Sequence, residues 1–210
     1  KRKNKRRNNK FYILPKSSFN DSYKTKINRI INILKKKGAD FLFISASENN
    51  AWLLNMRGSD TKYSPIPNGY ALIEKNGNIS FFCNLQKISL SLRNHFNEIK
   101  FLQIDSISSI LLKFSKKKFI CDKNTCSIYF EDIIIKNNKI LNIDDPIYNL
   151  KAIKTKKELS KIRESHIYDG IALTKYLFWL KKNFNRKKIT EISASQKLLR
   201  FRQKNNKFKF

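Results

Sequence analysis

The sequence predicts an α/β protein in which a mixed sheet carries helices on its faces and a helical segment opens a second domain. Three observations support this. Helix-period and strand-period apolar patterns alternate between Ser22 and Ile143, Asn76-Gly77 separates two apolar runs as a hairpin signal, and Thr155 with Glu158 opens a long amphipathic stretch.

The chain starts with KRKNKRRNNK, a block of like charges that repels itself and is expected to be a disordered linker over residues 1–10. The first helix is predicted from Ser22 to Lys37. Ile27, Ile30, Ile31 and Leu34 share one face, Lys35 to Lys37 complement the negative end of the helix dipole, and Gly38 stops it. Phe41 to Ile44 reads as a buried strand. Tyr70 to Glu74 and Ile79 to Cys83 flank Asn76-Gly77, and together they read as a hairpin. Helices near Leu85–Phe96, Ile107–Phe114 and Ile128–Ile135 then alternate with strands near Phe101–Ile104, Phe119–Cys121 and Ile140–Ile143. Pro146 disfavours helix in the residue before it, so the chain is expected to be extended there. Ile147 to Leu150 would then lead from a first domain, residues 11–146, to a second, residues 147–210.

The second domain opens on a helix with a legible start. The Thr155 hydroxyl and the Glu158 carboxylate form a capping box, each satisfying a backbone N–H that the first turn leaves unpaired. Leu159, Ile162, His166, Gly170, Leu173, Leu177 and Leu180 follow at three- and four-residue steps, giving the helix a broad apolar face. Residues 170–180 are apolar nearly all round and call for covering partners that the remaining thirty or so positions do not supply. Glu191, beside Thr190, reads as a first-turn carboxylate of one further helix with Ile192, Leu198 and Leu199 on its buried side.

Composition limits the partners. The formal net charge is +29, a value that suggests nucleic acid or an anionic membrane surface. However, most of the basic residues are lysines scattered among Ile and Asn, as an AT-rich coding sequence produces, and only the leader is clustered. No specific nucleic acid is expected, and no apolar run is long enough to span a membrane. Cys83, Cys121 and Cys126 make no C-x-x-C pair, which argues for small core side chains and a reducing, cytoplasmic setting.

Two groups are candidates for chemistry. Arg57, with Asp60 and Asn55, could shape a pocket for a peptide terminus; the structural alternative is a turn after a short helix, with Arg57 paired to a carboxylate and Trp52 and Leu53 in the core. The structural alternative is the stronger. His166 and Asp169 share a helical face, and a surface hydrogen bond between them is the expectation rather than a catalytic base and its orienting carboxylate.

The run Lys151-Ala152-Ile153-Lys154, with Glu158-Leu159, Arg163, Ser165-His166-Ile167, Asp169-Gly170, Ala172-Leu173 and Trp179-Leu180, resembles the opening of the catalytic domain of Xaa-Pro aminopeptidases (aminopeptidase P). Thr190 to Ala194 and Phe201-Arg202 fit that domain's next helix. Upstream, Ala51-Trp52-Leu53-Leu54-Asn55-Met56-Arg57-Gly58-Ser59-Asp60, Pro65 and Tyr70 to Ile73 resemble the middle domain of the three-domain form. The resemblance covers residues 11–210. It implies a creatinase N-terminal-like domain followed by the first helices of an incomplete pita-bread domain of α+β type.

The implied parent enzyme removes an N-terminal residue from peptides with proline at the second position and admits a homodimer. It uses two divalent metal ions, manganese as the expected pair, held by two Asp, one His and two Glu. None of those ligands can be assigned in this sequence, where no Asp, Glu or His follows Glu191. The expectation is therefore no catalytic and no metal residue, no bound metal and no peptidase activity in these 210 residues. In the family the middle domain is chiefly architectural, so substrate vicinity at Arg57 and Asp60 is the weaker expectation. Two alternatives stay open: a pita-bread relative without metal that serves as a binding protein, and, less favoured, a basic nucleic-acid-binding module.

Overall fold

The computed structural model describes residues 9–185 and 188–208. Two compact units divide between Lys154 and Thr155. Most of the basic leader lies outside the described residues.

Helix α1 (Tyr23–Lys37) forms as its caps dictate. The Ser22 hydroxyl accepts from the Thr25 N–H at 3.1 Å, and Gly38 closes the helix at φ 62°, a left-handed conformation that costs glycine little. A short ribbon, β1 (Tyr12–Ile13) antiparallel to β3 (Met56–Arg57), was not expected; two-residue strands carry no period to read. The main sheet has six strands: β2 (Phe41–Ile44), β4 (Tyr70–Glu74), β5 (Ile79–Cys83), β6 (Ile99–Gln103), β7 (Lys118–Cys121) and β8 (Lys139–Leu141). Their order is β6-β5-β4-β2-β7-β8. Both pairs involving β4 are antiparallel and the other three are parallel, so the sheet is mixed as predicted.

The β4–β5 connection departs from the simplest reading of Asn-Gly. Of its residues only Gly77 takes positive φ, at 101°, and its N–H bonds to the Glu74 carbonyl while Glu74 N bonds to the Asn78 carbonyl. This is a three-residue loop rather than a two-residue one, with glycine at the position that needs the left-handed half of the map.

Strand alternation splits the core into two layers. Leu42, Ile44, Ala71, Ile73, Phe81, Cys83 and Ile120 pack on one face with Ile27, Ile30 and Leu34 of α1 and with α2 (Ser47–Leu53). Phe41, Phe43, Leu72, Phe82, Phe119 and Cys121 pack on the other with α4 (Ile107–Leu111) and α5 (Ile128–Ile135). With both faces covered, the central strands read as continuous apolar runs. Between the hairpin and β6, the helix expected over Leu85–Phe96 is broken into a 3₁₀ turn, Leu85–Lys87, and a short α3 (Leu90–His95), because Ser89 caps a new start by accepting from Leu92 N at 3.2 Å.

The segment after Pro146 is also corrected. Ile147–Ala152 forms helix α6, not an extended linker, and Ile147 is fully buried in the first layer. Pro146 stands at the helix start, where a missing N–H costs nothing, and Asp145 accepts from the Ile147 N–H at 2.9 Å.

In the second unit, α7 (Lys156–Asn183) starts at the predicted capping box: Thr155 N donates to Glu158 Oε2 at 2.8 Å and Glu158 N to Thr155 Oγ1 at 3.3 Å. Helix α8 (Glu191–Arg202) starts at Thr190, but the reciprocal partner is Ser193. The two helices pack on each other through Ala172, the one buried residue of α7 among those described, and leave Ile167, Leu177 and Phe178 exposed.

Candidate functional site

The polar residues of the first unit gather around α2. Lys26 is the most deeply buried cation described, at 2% exposure; its ammonium donates to the Trp52 carbonyl at 2.7 Å and to Asn55 Oδ1 at 2.6 Å, and it lies 4.0 Å from the centre of the Trp52 ring. Asn55 can meet it because the residue adopts φ 51°, and its amide reaches back to the Asp21 carbonyl at 3.0 Å. A buried ammonium held by a carbonyl, an amide oxygen and an aromatic face is compensated rather than reactive.

Arg57 and Asp60 are each engaged, in different directions. Arg57 donates through Nη1 to the carbonyls of Ala51 at 2.7 Å and Met56 at 2.9 Å, so the guanidinium closes the end of α2 instead of pairing with a carboxylate; burial lowers its pKa. Asp60 accepts from the Asn68 N–H at 2.7 Å and forms a salt bridge with Lys87, itself nearly buried. Gly58 lies between them. A Cβ there would stand 2.9 Å from the Pro67 Cα and 3.0 Å from the Phe11 ring, so the loop requires glycine.

A second network crosses the end of the sheet. Asp145 accepts from the Asn49 amide at 2.7 Å, Lys151 donates to Asn49 Oδ1 at 2.5 Å, and the Tyr148 hydroxyl donates to Glu48 at 3.1 Å. Burial pushes the Asp145 carboxyl above the usual range, opposed by the Ile147 N–H and the Asn49 amide; burial and Glu48 push Tyr148 up to about 12. Sequence reasoning missed Lys26, Asn49, Asp145 and Lys87. Asn49 and Asp145 lie 96 residues apart, so no spacing rule could have joined them.

The cysteines behave as core side chains. Burial pushes Cys83 up to about 12, and Cys121 is raised by its contact with Cys126 and by burial. His166 and Asp169 are not each other's main partner. Asp169 takes both ends of the Arg202 guanidinium, Nε to Oδ1 at 2.6 Å and Nη2 to Oδ2 at 3.1 Å, which holds its carboxyl below the usual range. A planar fork reaching over from α8 offers two parallel bonds that an imidazole one turn away cannot.

Residues 2–158 match the creatinase/prolidase N-terminal domain family. The chain belongs to that family. As a creatinase/prolidase N-terminal domain it continues into a second stretch that its relatives share. It is 34% identical over 196 residues to a probable Xaa-Pro aminopeptidase P of Laccaria bicolor, which covers 90% of this chain and 30% of that protein. It is 35% identical over 182 residues to the Xaa-Pro aminopeptidase ApepP of Drosophila melanogaster, covering 83% of this chain and 29% of that protein. The chain thus spans about 30% of the length of these curated relatives. Among solved structures, an X-prolyl aminopeptidase of Caenorhabditis elegans, described as a cytosolic enzyme with a di-nuclear active site, shares the fold with a TM-score of 0.86 at 23% identity, covering 95% of this chain and 34% of that one. The creatinase-like domain with the start of a pita-bread relative is therefore the architecture present. Among the described residues, no three His, Cys, Asp or Glu side chains converge.

Proposed function

We propose that this chain is the architectural part of a metal-dependent aminopeptidase that removes the N-terminal residue preceding a proline. The observation that carries the reading is that its 34% identity to an aminopeptidase P relative runs over 196 residues, through both units, rather than stopping at the first. A domain of creatinase type alone would share only residues up to about Lys154. The two divalent ions, manganese by family resemblance, are then held by residues other than those described here. This chain alone hydrolyses nothing. Arg57 and Asp60 act on substrate only by bracing the Gly58 loop, and the three free cysteines suit a reducing, cytoplasmic setting.

The test is a replacement. This chain is substituted for the matching region of the Drosophila relative, and hydrolysis of a peptide with proline at the second position is measured with added manganese. Turnover within tenfold of the parent is the expected result. A folded, metal-loaded chimera without turnover would overturn the assignment. In parallel, the 210-residue chain is assayed alone; turnover there would overturn the architectural role.

A further inference from the structure

The two ends of the main sheet differ in charge. Strands β2, β5, β6, β7 and β8 all run one way, so the turns that lead into them lie at one end and the turns that leave them at the other. At the leaving end Glu48, Asp60, Asp105, Asp122, Asp144 and Asp145 offset the lysines beside them, Lys10, Lys62, Lys87, Lys123 and Lys151. The entering end is built of lysines: Lys35, Lys36 and Lys37 close α1, Lys75 lies in the hairpin loop, Lys116, Lys117 and Lys118 precede β7, and Lys139 starts β8, all of them exposed.

These turns are tied into one surface. Asp40 N donates to the Lys118 carbonyl at 2.8 Å, Lys75 N to the Asp40 carbonyl at 2.9 Å, Lys139 N to the Lys117 carbonyl at 2.8 Å and Lys116 N to the Asn137 carbonyl at 2.8 Å. Three carboxylates share this end and all are engaged: Asp40 by Lys75 at 2.7 Å and by the Lys118 N–H, Glu98 by Lys24, and Glu74 by the Asn78 amide, so they offset only part of the lysine charge. A lysine-rich composition alone would decorate both ends alike. The polarity between them is a property of the fold, and it is invisible along the chain because these lysines are spread from position 35 to 139.

The same end carries two aliphatic side chains in water. Leu112, after α4, is 44% exposed and Ile135, at the end of α5, is 55% exposed; they adjoin Lys113 and Lys136. An anionic lipid surface uses both features, since it attracts lysines through its surface potential and takes up aliphatic groups at the headgroup boundary. A phosphate backbone has no use for the aliphatic pair. Recognition of nucleic acid would draw on arginine forks or stacking aromatics, and of the aromatics at this end Phe41 and Phe119 are buried in the second core layer and Phe114 is half-buried against them.

We propose that the lysine-rich end of the first unit, with Leu112 and Ile135, docks on anionic membrane surfaces. This is independent of the peptidase reading. The test is co-sedimentation of the full chain with phosphatidylcholine vesicles, with and without phosphatidylserine, at physiological salt. Binding is expected only with phosphatidylserine. The variant Lys116→Glu/Lys117→Glu/Lys118→Glu should weaken it by at least about tenfold, from the contribution of each lysine near the surface. A charge-matched variant at the opposite end of the sheet, Lys10→Glu/Lys62→Glu/Lys123→Glu, should weaken it less than about threefold, since charge away from the surface is screened. Leu112→Ser/Ile135→Ser should also weaken vesicle binding while leaving affinity for duplex RNA unchanged. Equal losses from the two lysine triples would reduce the effect to net charge and overturn the proposal, as would absence of vesicle binding. Duplex RNA binding at physiological salt that depends on Lys116 to Lys118, without vesicle binding, would replace the lipid by nucleic acid. Circular dichroism confirms that each variant is folded.

Discussion

The first unit and the second bury their apolar side chains to different degrees. In the first, each central strand alternates its side chains into two layers, and helices cover both, so Phe43, Phe81, Phe82 and Phe119 are almost wholly removed from water. In the second, α7 and α8 pack on each other. Phe178 is 70% exposed and Ile167 64%, although apolar side chains recur along α7 at helical spacing. Amphipathic sequence therefore specifies which side chains can be buried, while the elements opposite decide whether they are.

The chain has two tryptophans, Trp52 in the first unit and Trp179 in the second, so each unit can be followed separately after replacing the other indole by Phe. The largest contrast is expected from aromatic truncation. Phe81→Ala, read on Trp52 in urea, should cost about 3–5 kcal/mol, and Phe178→Ala, read on Trp179, within about 0.5 kcal/mol. A cost above about 1 kcal/mol for Phe178→Ala would show that α7 is covered in solution and erase the contrast.

The next effect tests the polar seam that fastens α6 to the first unit. Asp145→Ala leaves the Asn49 amide and the Ile147 N–H without their acceptor and should cost about 1–3 kcal/mol on the Trp52 probe, with no shift on Trp179. The pH dependence has a definite sign. Because the folded carboxyl sits above its unfolded range, the folded state holds more protons between the two values, and stability falls as pH rises through that window. Asp145→Asn should remove that slope; an unchanged slope would assign it to another group.

Helix capping comes third. Thr155→Ala should destabilise the second unit by about 1 kcal/mol, seen on Trp179 and as faster amide exchange in the first turn of α7, because Glu158 N loses its acceptor.

The smallest effect concerns Asp169 and Arg202. Both side chains are more than a third exposed, so Arg202→Ala should cost below about 1 kcal/mol and less at high salt. The Asp169 carboxyl is held low by Arg202, so the stabilisation is present above the unfolded carboxylate range and lost as pH falls through the folded value. His166→Ala should leave this acid limb in place; its disappearance would restore the imidazole as the principal partner.

Much of the fold was legible because it is local. The Ser22 and Gly38 caps, the Thr155 box and the β4–β5 hairpin are each decided within a few residues, and each appears close to where it was expected. The break after Lys87 and the helix after Pro146 were not, because a serine N-cap or a buried Ile147 competes with the longer pattern only when its surroundings are present. At the candidate site, sequence singled out Arg57 and Asp60 but not their partners. Arg57 turned to the carbonyls of Ala51 and Met56 and Asp60 to Lys87, contacts made by loop closure rather than by spacing.

The sequence by itself determined the kinds and order of most elements and the apolar faces they carry, since period, capping and turn chemistry act over a few residues. Tertiary structure alone decided which charges are buried, which carboxylate meets which base, and that lysines scattered over a hundred positions share one end of the sheet. Strand order and direction bring these groups together, and contacts made by strand order leave no trace in local spacing.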